Sequence, residues 1–273
     1  MNNSVIFLFF CGIFLYTCKK RKGGKKLKLQ QLLSLTRKAI EDYELIEEGD
    51  KIAIGVSGGK DSLVLLTILA QLQKFYPVKF TLCAITVDLG YQDFNLNEIE
   101  KLCNQLQIDY YIEKTLISEI VQKHKKPCSL CAKLRKGALN NKAKELGCNK
   151  VAFAHHKDDL IETMFLSLCY EGRFHSSSPK TYWENSGLTL IRPLIYISEV
   201  DIIGYMNKNP LPIVENPCPY DGHTKRNDIR ELVRHINQNI PGCKNRIFRA
   251  ILDGNFEDWP IPNTKHLKHN EEQ

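Results

Sequence analysis

The chain has no uncharged apolar run long enough to cross a membrane. Residues 5–18 come nearest, but they number fourteen where a spanning helix takes about 20. Nor does the segment read as a secretory signal, because its basic residues follow the apolar run and no small-residue cleavage site comes after it. Dense cysteine spacing is absent: ten cysteines are scattered over 273 residues, which excludes a small disulfide scaffold and suits a reducing compartment. Cys83, Cys103, Cys148 and Cys169 fall in apolar periodic stretches, where buried free thiols are expected. There is no internal repeat. The body of the chain also lacks net charge. Seven positive residues between Lys19 and Lys28 account for the overall +7, and from position 29 onward 31 basic residues face 31 acidic ones. Global charge therefore says nothing about nucleic acid; only local clusters can.

Residues 1–28 form an apolar and then basic extension with three readings: a weak membrane anchor, a disordered basic tail, or sequence upstream of the functional start. The last is preferred, with a cytoplasmic location and no membrane association through residues 5–18. An inserted segment would still leave the Lys/Arg cluster, and so the body, on the cytoplasmic side. Gly23 and Gly24 make a linker; residues 29–256 form the working body and residues 257–273 a polar tail. At 43% hydrophobic and 25% charged, the composition is that of a globular protein able to bury a full core.

The strongest signal is residues 52–66. Ile52, Ala53, Ile54, Gly55 and Val56 make a short apolar run of the kind buried in a parallel sheet. Ser57, Gly58, Gly59, Lys60, Asp61 and Ser62 follow, and then an apolar helical stretch. Two glycines permit a sharp turn and close backbone approach, and the turn empties onto a helix start that favours an anion. With two hydroxyls and a lysine added, the expected ligand is a polyphosphate. The Walker spacing is absent, and the plain alternative is a turn rich in small polar residues. The hexapeptide resembles the pyrophosphate loop of the ATP-pyrophosphatase superfamily. That resemblance implies cleavage of ATP between its α and β phosphates and adenylation of a carbonyl oxygen on a substrate.

Further β-like runs at 80–87, 108–112, 150–154 and 188–191 alternate with helical patterns at 95–107, 128–146 and 158–170, after an opening helix at 29–46. Residues 176–187 read as a mobile loop. The alternation predicts an α/β fold, a Rossmann-like doubly wound parallel sheet with helical additions. Ligands then sit at the carboxyl ends of the strands. The phosphate loop, Asp88 and His155-His156 all follow strands, so they should converge on that edge.

His155, His156, Lys157, Asp158 and Asp159 open a helix, which either aspartate could cap. Adenylation calls for a divalent cation, and Mg²⁺ takes one or two carboxylates besides phosphate oxygens. Asp61 and Asp158 are the expected magnesium-side carboxylates, with Asp159 the alternative to Asp158; a structural His-His pair is the plainer reading. Cys128 and Cys131 have Cys-x-x-Cys spacing, and Cys218 follows Pro217 far downstream. The pair alone is compatible with zinc, with His223 as an imaginable fourth ligand, with a redox dithiol, or with an iron–sulfur cluster. Three thiolates on a four-iron cluster leave one iron open to hold an exogenous sulfur. No acid lies between Glu119 and Glu145, while Lys133, Arg135 and Lys136 are among eight basic residues there. A second basic stretch holds Arg226 and Arg230. Such runs are usually solvated helix faces, but beside the cysteines they suit an RNA backbone.

Taken together, the Ser57–Ser62 loop, Pro127-Cys128-Ser129-Leu130-Cys131 with Leu134-Arg135-Lys136-Gly137, His155-His156-Lys157-Asp158-Asp159, Ile191-Arg192-Pro193-Leu194 and Pro217-Cys218 resemble the tRNA 2-thiocytidine synthetases, PP-loop enzymes of the HUP-type fold. The similarity runs in order over residues 29–256. It implies a sulfurtransferase acting on cytidine 32 of the tRNA anticodon loop, with ATP, Mg²⁺ and a [4Fe-4S] cluster. It makes Cys128, Cys131 and Cys218 the cluster ligands, Ser57, Gly58, Gly59, Lys60, Asp61 and Ser62 with His155 and His156 the ATP site, and Lys60, Asp61 and Asp158 the catalytic set. Lys133, Arg135, Lys136, Arg226 and Arg230 are the expected tRNA contacts. Further expected partners are a sulfur donor such as a cysteine desulfurase and, as one candidate assembly, a homodimer. Residues 1–28 depart from the family pattern. Some members also carry another cysteine just before the third ligand, where this chain has Glu215, Asn216 and Pro217. Extra zinc-binding cysteine pairs, found in related thiouridine synthetases, are missing, which favours the cytidine branch. The rivals are a lysidine-type tRNA ligase and a noncatalytic, zinc-stabilised nucleotide- or RNA-binding protein.

Overall fold

The computed structural model describes residues 26–91, 94–125, 127–214, 217–219 and 225–254. The apolar segment 5–18, the tail 257–273, residues 215–216 and His223 lie outside them. In chain order the elements are α1 (Lys26–Asp42), β1 (Lys51–Gly55), α2 (Lys60–Gln73), β2 (Thr81–Asp88), α3 (Asn97–Leu106), β3 (Asp109–Lys114), α4 (Ile117–Gln122) and α5 (Pro127–Glu145). There follow β4 (Lys150–Ala152), α6 (Lys157–Glu171), β5 (Lys180–Trp183), β6 (Leu188–Ile191), α7 (Glu199–Met206), α8 (Lys225–Asn239) and α9 (Cys243–Asp253).

The strands make one sheet in the order β3-β2-β1-β4-β6-β5, parallel throughout except for the β5–β6 pair. From β1 the chain winds out through β2 to β3, then returns across α5 to β4 on the other flank of β1. That reversal opens a crevice at the carboxyl ends of β1 and β4, the place where sheets of this class bind ligands. Both faces are covered, and the strand period of two shows it. Ile52 and Ile54 of β1 and Leu82 and Ala84 of β2 join the large core cluster with α2 and α3. The alternate residues Ala53, Cys83 and Ile85 join a second cluster with Leu139 and Ala143 of α5. Helix α2 is buried from Ser62 to Ala70, as expected of a helix apolar on all sides.

Residues 176–187 are not a mobile loop. Lys180–Trp183 pair antiparallel with Leu188–Ile191, the turn closes at Gly187 with φ 67°, and the Ser176 hydroxyl donates to the Leu160 carbonyl at 2.9 Å. The β-favouring Thr181-Tyr182-Trp183 trio outweighs the serines around it. Cys169 also departs from expectation: Cys83, Cys103 and Cys148 are buried free thiols, but Cys169 is exposed, because it falls on the outer face near the end of α6. At the opposite edge from the crevice, buried Lys150 binds buried Asp50 at 2.7 Å and Glu47 at 3.0 Å. Asn149 donates to Asp50 at 2.6 Å. This paired network ties the starts of β1 and β4 together, and breaking a buried pair is costly. Among the described residues no helix is long and apolar enough to cross a membrane.

Candidate active site

The phosphate loop is built by its own hydroxyls. After β1, Gly58 takes φ 85°, a conformation open to glycine at little cost. The Ser62 hydroxyl donates to the Gly59 carbonyl at 2.9 Å and accepts from Ser57 N at 3.2 Å, while Ser57 Oγ accepts from Gly59 N at 3.4 Å. Gly59 is the N-cap of α2 and lines the crevice, and no side chain caps that helix, so its first N–H groups suit an anion there. Lys60 reaches Asp61 at 3.1 Å and Glu199 at 3.0 Å. Burial alone would depress its pKa, but the two carboxylates hold it above the usual lysine value.

Asp61 lines the crevice, and its buried Oδ1 has no hydrogen-bond partner. On the other side of the switch point, Asp159 also faces the crevice. Its Oδ2 accepts from His156 N at 2.9 Å and its Oδ1 lies 3.4 Å from Arg226. Asp158 does not face it. That carboxylate is buried, with Oδ1 2.6 Å from Lys244 Nζ and Oδ2 accepting from Glu199 N at 2.8 Å. Burial pushes its pKa up, and the Lys244 and Glu199 contacts bring it below the usual carboxylate range. Of the two aspartates, then, Asp159 lines the crevice and Asp158 is turned to Lys244 and the Glu199 backbone. Consecutive helical residues point about 100° apart, so only one of the two can look into the crevice.

His155 lines the crevice too. Arg192 Nε donates to its Nδ1 at 3.0 Å, which leaves the ring proton on Nε2. Burial first, and then Arg192, hold its pKa down to about 4. His156 is buried beneath, with Nε2 3.7 Å from Asp61 and 3.5 Å from Asp159.

The crevice continues from the phosphate loop to Ala132 and Pro217, the residues next to Cys131 and Cys218 in the chain. It encloses about 610 Å³ and is lined on one side by Ser57, Asp61 and His155 and on the other by Ala132, Arg135 and Pro217. Such a volume suits a nucleotide-sized ligand. Cys128 is exposed at the start of α5, and Cys131 and Cys218 are half-buried. Burial pushes the Cys131 thiol up, Arg135 offsets this, and the nearby Cys218 and Cys128 add to it. Cys131 therefore lies within electrostatic reach of both Cys218 and Cys128. The Tyr91 hydroxyl lies 3.8 Å from Cys218 Sγ and packs with Cys131 against Leu89, Ile117 and Val121. Among the described residues no three His, Cys, Asp or Glu side chains crowd together tightly enough to hold a single ion. The accessible Cys128 and the Arg135 cation beside Cys131 are the chemistry a thiolate ligand set calls for.

The basic residues divide. Lys133, Arg135 and Lys136 are exposed on α5, and Lys136 places its ammonium 3.5 Å from the Trp183 ring centroid. Arg226 and Arg230 instead hold α8 to α6. Arg226 lies 3.4 Å from Asp159 and 3.6 Å from Glu162, and Arg230 2.9 Å from the buried Glu162. Both side chains remain part-exposed, at 37% and 49%, while making these pairs. Sequence reasoning missed Glu199 and Lys244. The first had a signal: Ser198-Glu199-Val200-Asp201 is a helix-start pattern, and Ser198 Oγ accepts from Asp201 N at 3.2 Å.

The fold and crevice define an α/β nucleotide-binding enzyme of the PP-loop class, and the PP-loop domain family model matches residues 28–236. A tRNA-cytidine(32) 2-sulfurtransferase of Pelobacter propionicus is 39% identical over 220 residues, 78% of this chain and 82% of that protein. One of Geobacter metallireducens is 37% identical over 222 residues, covering 79% and 86%. Among solved structures, the U34-tRNA thiolase NcsA from Methanococcus maripaludis with its [4Fe-4S] cluster superimposes with a TM-score of 0.68 at 26% identity, covering 84% of this chain and 79% of that one. The chain belongs to the tRNA-cytidine(32) 2-sulfurtransferase family.

Proposed function

We propose that the chain adenylates the C2 oxygen of cytidine 32 in a tRNA anticodon loop, releasing pyrophosphate, and that sulfide-level sulfur then bonds to C2 as AMP leaves with the oxygen, giving 2-thiocytidine. One observation carries the reading: the phosphate loop shares its crevice with Arg135, Lys136 and the immediate neighbours of two cysteines, Ala132 beside Cys131 and Pro217 beside Cys218, and Cys131 feels the charge of both Cys218 and Cys128. The family names favour cytidine 32 over the uridine 34 of the structural neighbour.

Each part has a physical role. The Ser57–Ser62 loop and the start of α2 bind the β and γ phosphates through N–H groups, two hydroxyls and Lys60. The cytosine O2 attacks the α phosphorus and pyrophosphate departs, its growing charge met by the same donors. Asp61, with its partnerless Oδ1, and Asp159 would hold Mg²⁺ on the phosphates, where it screens charge. His155, neutral above pH about 4, presents an N–H donor rather than a second cation. Cys128, Cys131 and Cys218 would hold the [4Fe-4S] cluster, and three protein ligands on four irons would leave it able to take up an exogenous sulfur. Arg135 and Lys136 line the crevice beside the thiols and suit the phosphates flanking the extruded base. A target in a loop avoids most of the unpairing cost of a duplex. The sulfur comes from a separate donor such as a cysteine desulfurase, and the setting is the cytoplasm.

Cys128→Ala and Cys218→Ala test the assignment. After anaerobic purification each should lose the broad visible absorption and the thiolation of tRNA while still binding an ATP analogue. Full thiolation by either variant, or a colourless wild-type protein containing zinc, overturns it.

A further inference from the structure

We infer that Glu199 is a positioning residue for Lys60, an assignment that rests on the adenylation chemistry proposed above. Lys60 sits in the phosphate loop, and its ammonium reaches Glu199 Oε1 at 3.0 Å. Both side chains are about three-quarters sequestered from solvent, at 29% and 26% exposure, so the pair is neither a screened surface contact nor a sealed one. Glu199 is the first residue of α7, whose N-cap Ser198 fixes the helix start. The positive end of that helix favours a carboxylate there.

The backbone of Glu199 is itself held. Its N–H donates to Asp158 Oδ2 at 2.8 Å, and Asp158 Oδ1 lies 2.6 Å from Lys244 Nζ. A chain of contacts thus runs from α9 through α6 and α7 to the phosphate loop. It gives buried Asp158 a place in the structure away from the phosphates. A lysine side chain has many rotamers, and fixing them beforehand removes an entropy cost at the moment charge develops. Asp61 cannot do this alone, because it is the adjacent residue and moves with the loop. Glu199 comes from a separate helix, so its 3.0 Å contact fixes the Lys60 ammonium independently of the loop. When a polyphosphate enters, the ammonium can exchange part of its contact with Glu199 for phosphate oxygens. Glu199 therefore lowers ground-state affinity slightly while favouring the transition state, so its removal should act on kcat more than on KM.

The test is a double-mutant cycle of Glu199→Gln and Lys60→Ala in the full chain, loaded with its cluster and supplied with tRNA. Pyrophosphate release and binding of a non-hydrolysable ATP analogue are both read. Glutamine keeps the size of the side chain and leaves the backbone contact to Asp158 intact, and a thermal melt checks folding. Glu199→Gln should lower kcat for pyrophosphate release about tenfold, near 1.4 kcal/mol of barrier, with KM for ATP unchanged or lower. In the Lys60→Ala background it should have no further effect. An equal loss in both backgrounds, or unchanged kcat in the wild-type background, overturns the assignment. If the wild-type protein releases no pyrophosphate with any tRNA, the proposed function fails instead. The binding cycle then decides: an affinity change on Glu199→Gln only where Lys60 is present supports the positioning role, and equal or absent changes sink it.

Discussion

Gly58→Ala is the sharpest perturbation of the phosphate loop. Gly58 holds φ at +85°, and a Cβ there would lie 3.1 Å from Val214 Cβ. Two costs follow. A left-handed backbone conformation costs a non-glycine residue about 1–2 kcal/mol, and forcing a methyl group into a packed site typically adds about 1–3 kcal/mol. Val214 cannot simply retreat, because its N–H donates to the Gly58 carbonyl at 3.0 Å. The expected sum is about 3 kcal/mol. The chain can absorb it by losing global stability or by letting the loop swing out of its ligand-ready shape, so two assays are needed. Urea unfolding reads the first, and calorimetry with an ATP analogue reads the second. Gly59→Ala is the control: its φ is −76° and the nearest atom to an added Cβ is Ser57 Oγ at 3.6 Å, an ordinary contact. Its unfolding free energy should fall by less than about 1 kcal/mol. A Gly58→Ala protein within about 0.5 kcal/mol of wild type that also binds the analogue within a factor of two refutes the steric reasoning.

Two further outcomes follow from the charges. His155 has a folded pKa of about 4 against an ordinary 6.5, so the unfolded chain takes up its proton first. Its contribution to stability is complete above pH 6.5 and is lost as pH falls toward 4, up to roughly 3 kcal/mol. His155→Gln should flatten the acid limb of a stability–pH profile over that window, and an unchanged limb contradicts the assignment. The paired change Arg226→Ala with Arg230→Ala should lower stability by about 2 kcal/mol, a figure discounted for the part-exposed guanidiniums. It should also leave the salt dependence of tRNA binding nearly intact. Lys133→Ala with Arg135→Ala should do the reverse, reducing the salt slope by about two; equal slopes for the two pairs would remove the distinction drawn between α5 and α8.

Much of the fold was legible because its signals are local. The apolar run 52–56, the glycine turn and the apolar helix after it specify β1, the loop and α2 without reference to the rest of the chain. The switch point followed, because strand–helix alternation admits few parallel topologies. What was not legible depends on partners distant in sequence. Asp158 and Asp159 are adjacent and chemically identical; only Lys244 in α9 and the Glu199 backbone separate the buried one from the one facing the crevice. Arg226 and Arg230 read as nucleic-acid contacts because their acidic partners, Asp159 and Glu162, lie more than sixty positions away. Cys169 has apolar neighbours in sequence yet falls on the exposed side of α6. Periodicity fixes that a helix has two faces, not where the boundary falls.

The same Gly58 carbonyl that anchors the phosphate loop also locates the sulfur side of the crevice. Val214 N donates to it at 3.0 Å, four residues before Cys218, and Pro217 lines the crevice itself. Cys128 and Cys131 are placed independently, by α5 packed on β2 and on the Leu89–Ile117–Val121 cluster. Cys218 meets the same cluster through Tyr91, whose hydroxyl lies 3.8 Å from its Sγ. A backbone bond is the economical way to couple Val214 to the loop, since it needs no side chain and keeps its length as neighbouring residues change. The bond from Val214 to Gly58 therefore joins two walls of the crevice, since Val214 lines it alongside Ser57 and Gly59 of the loop.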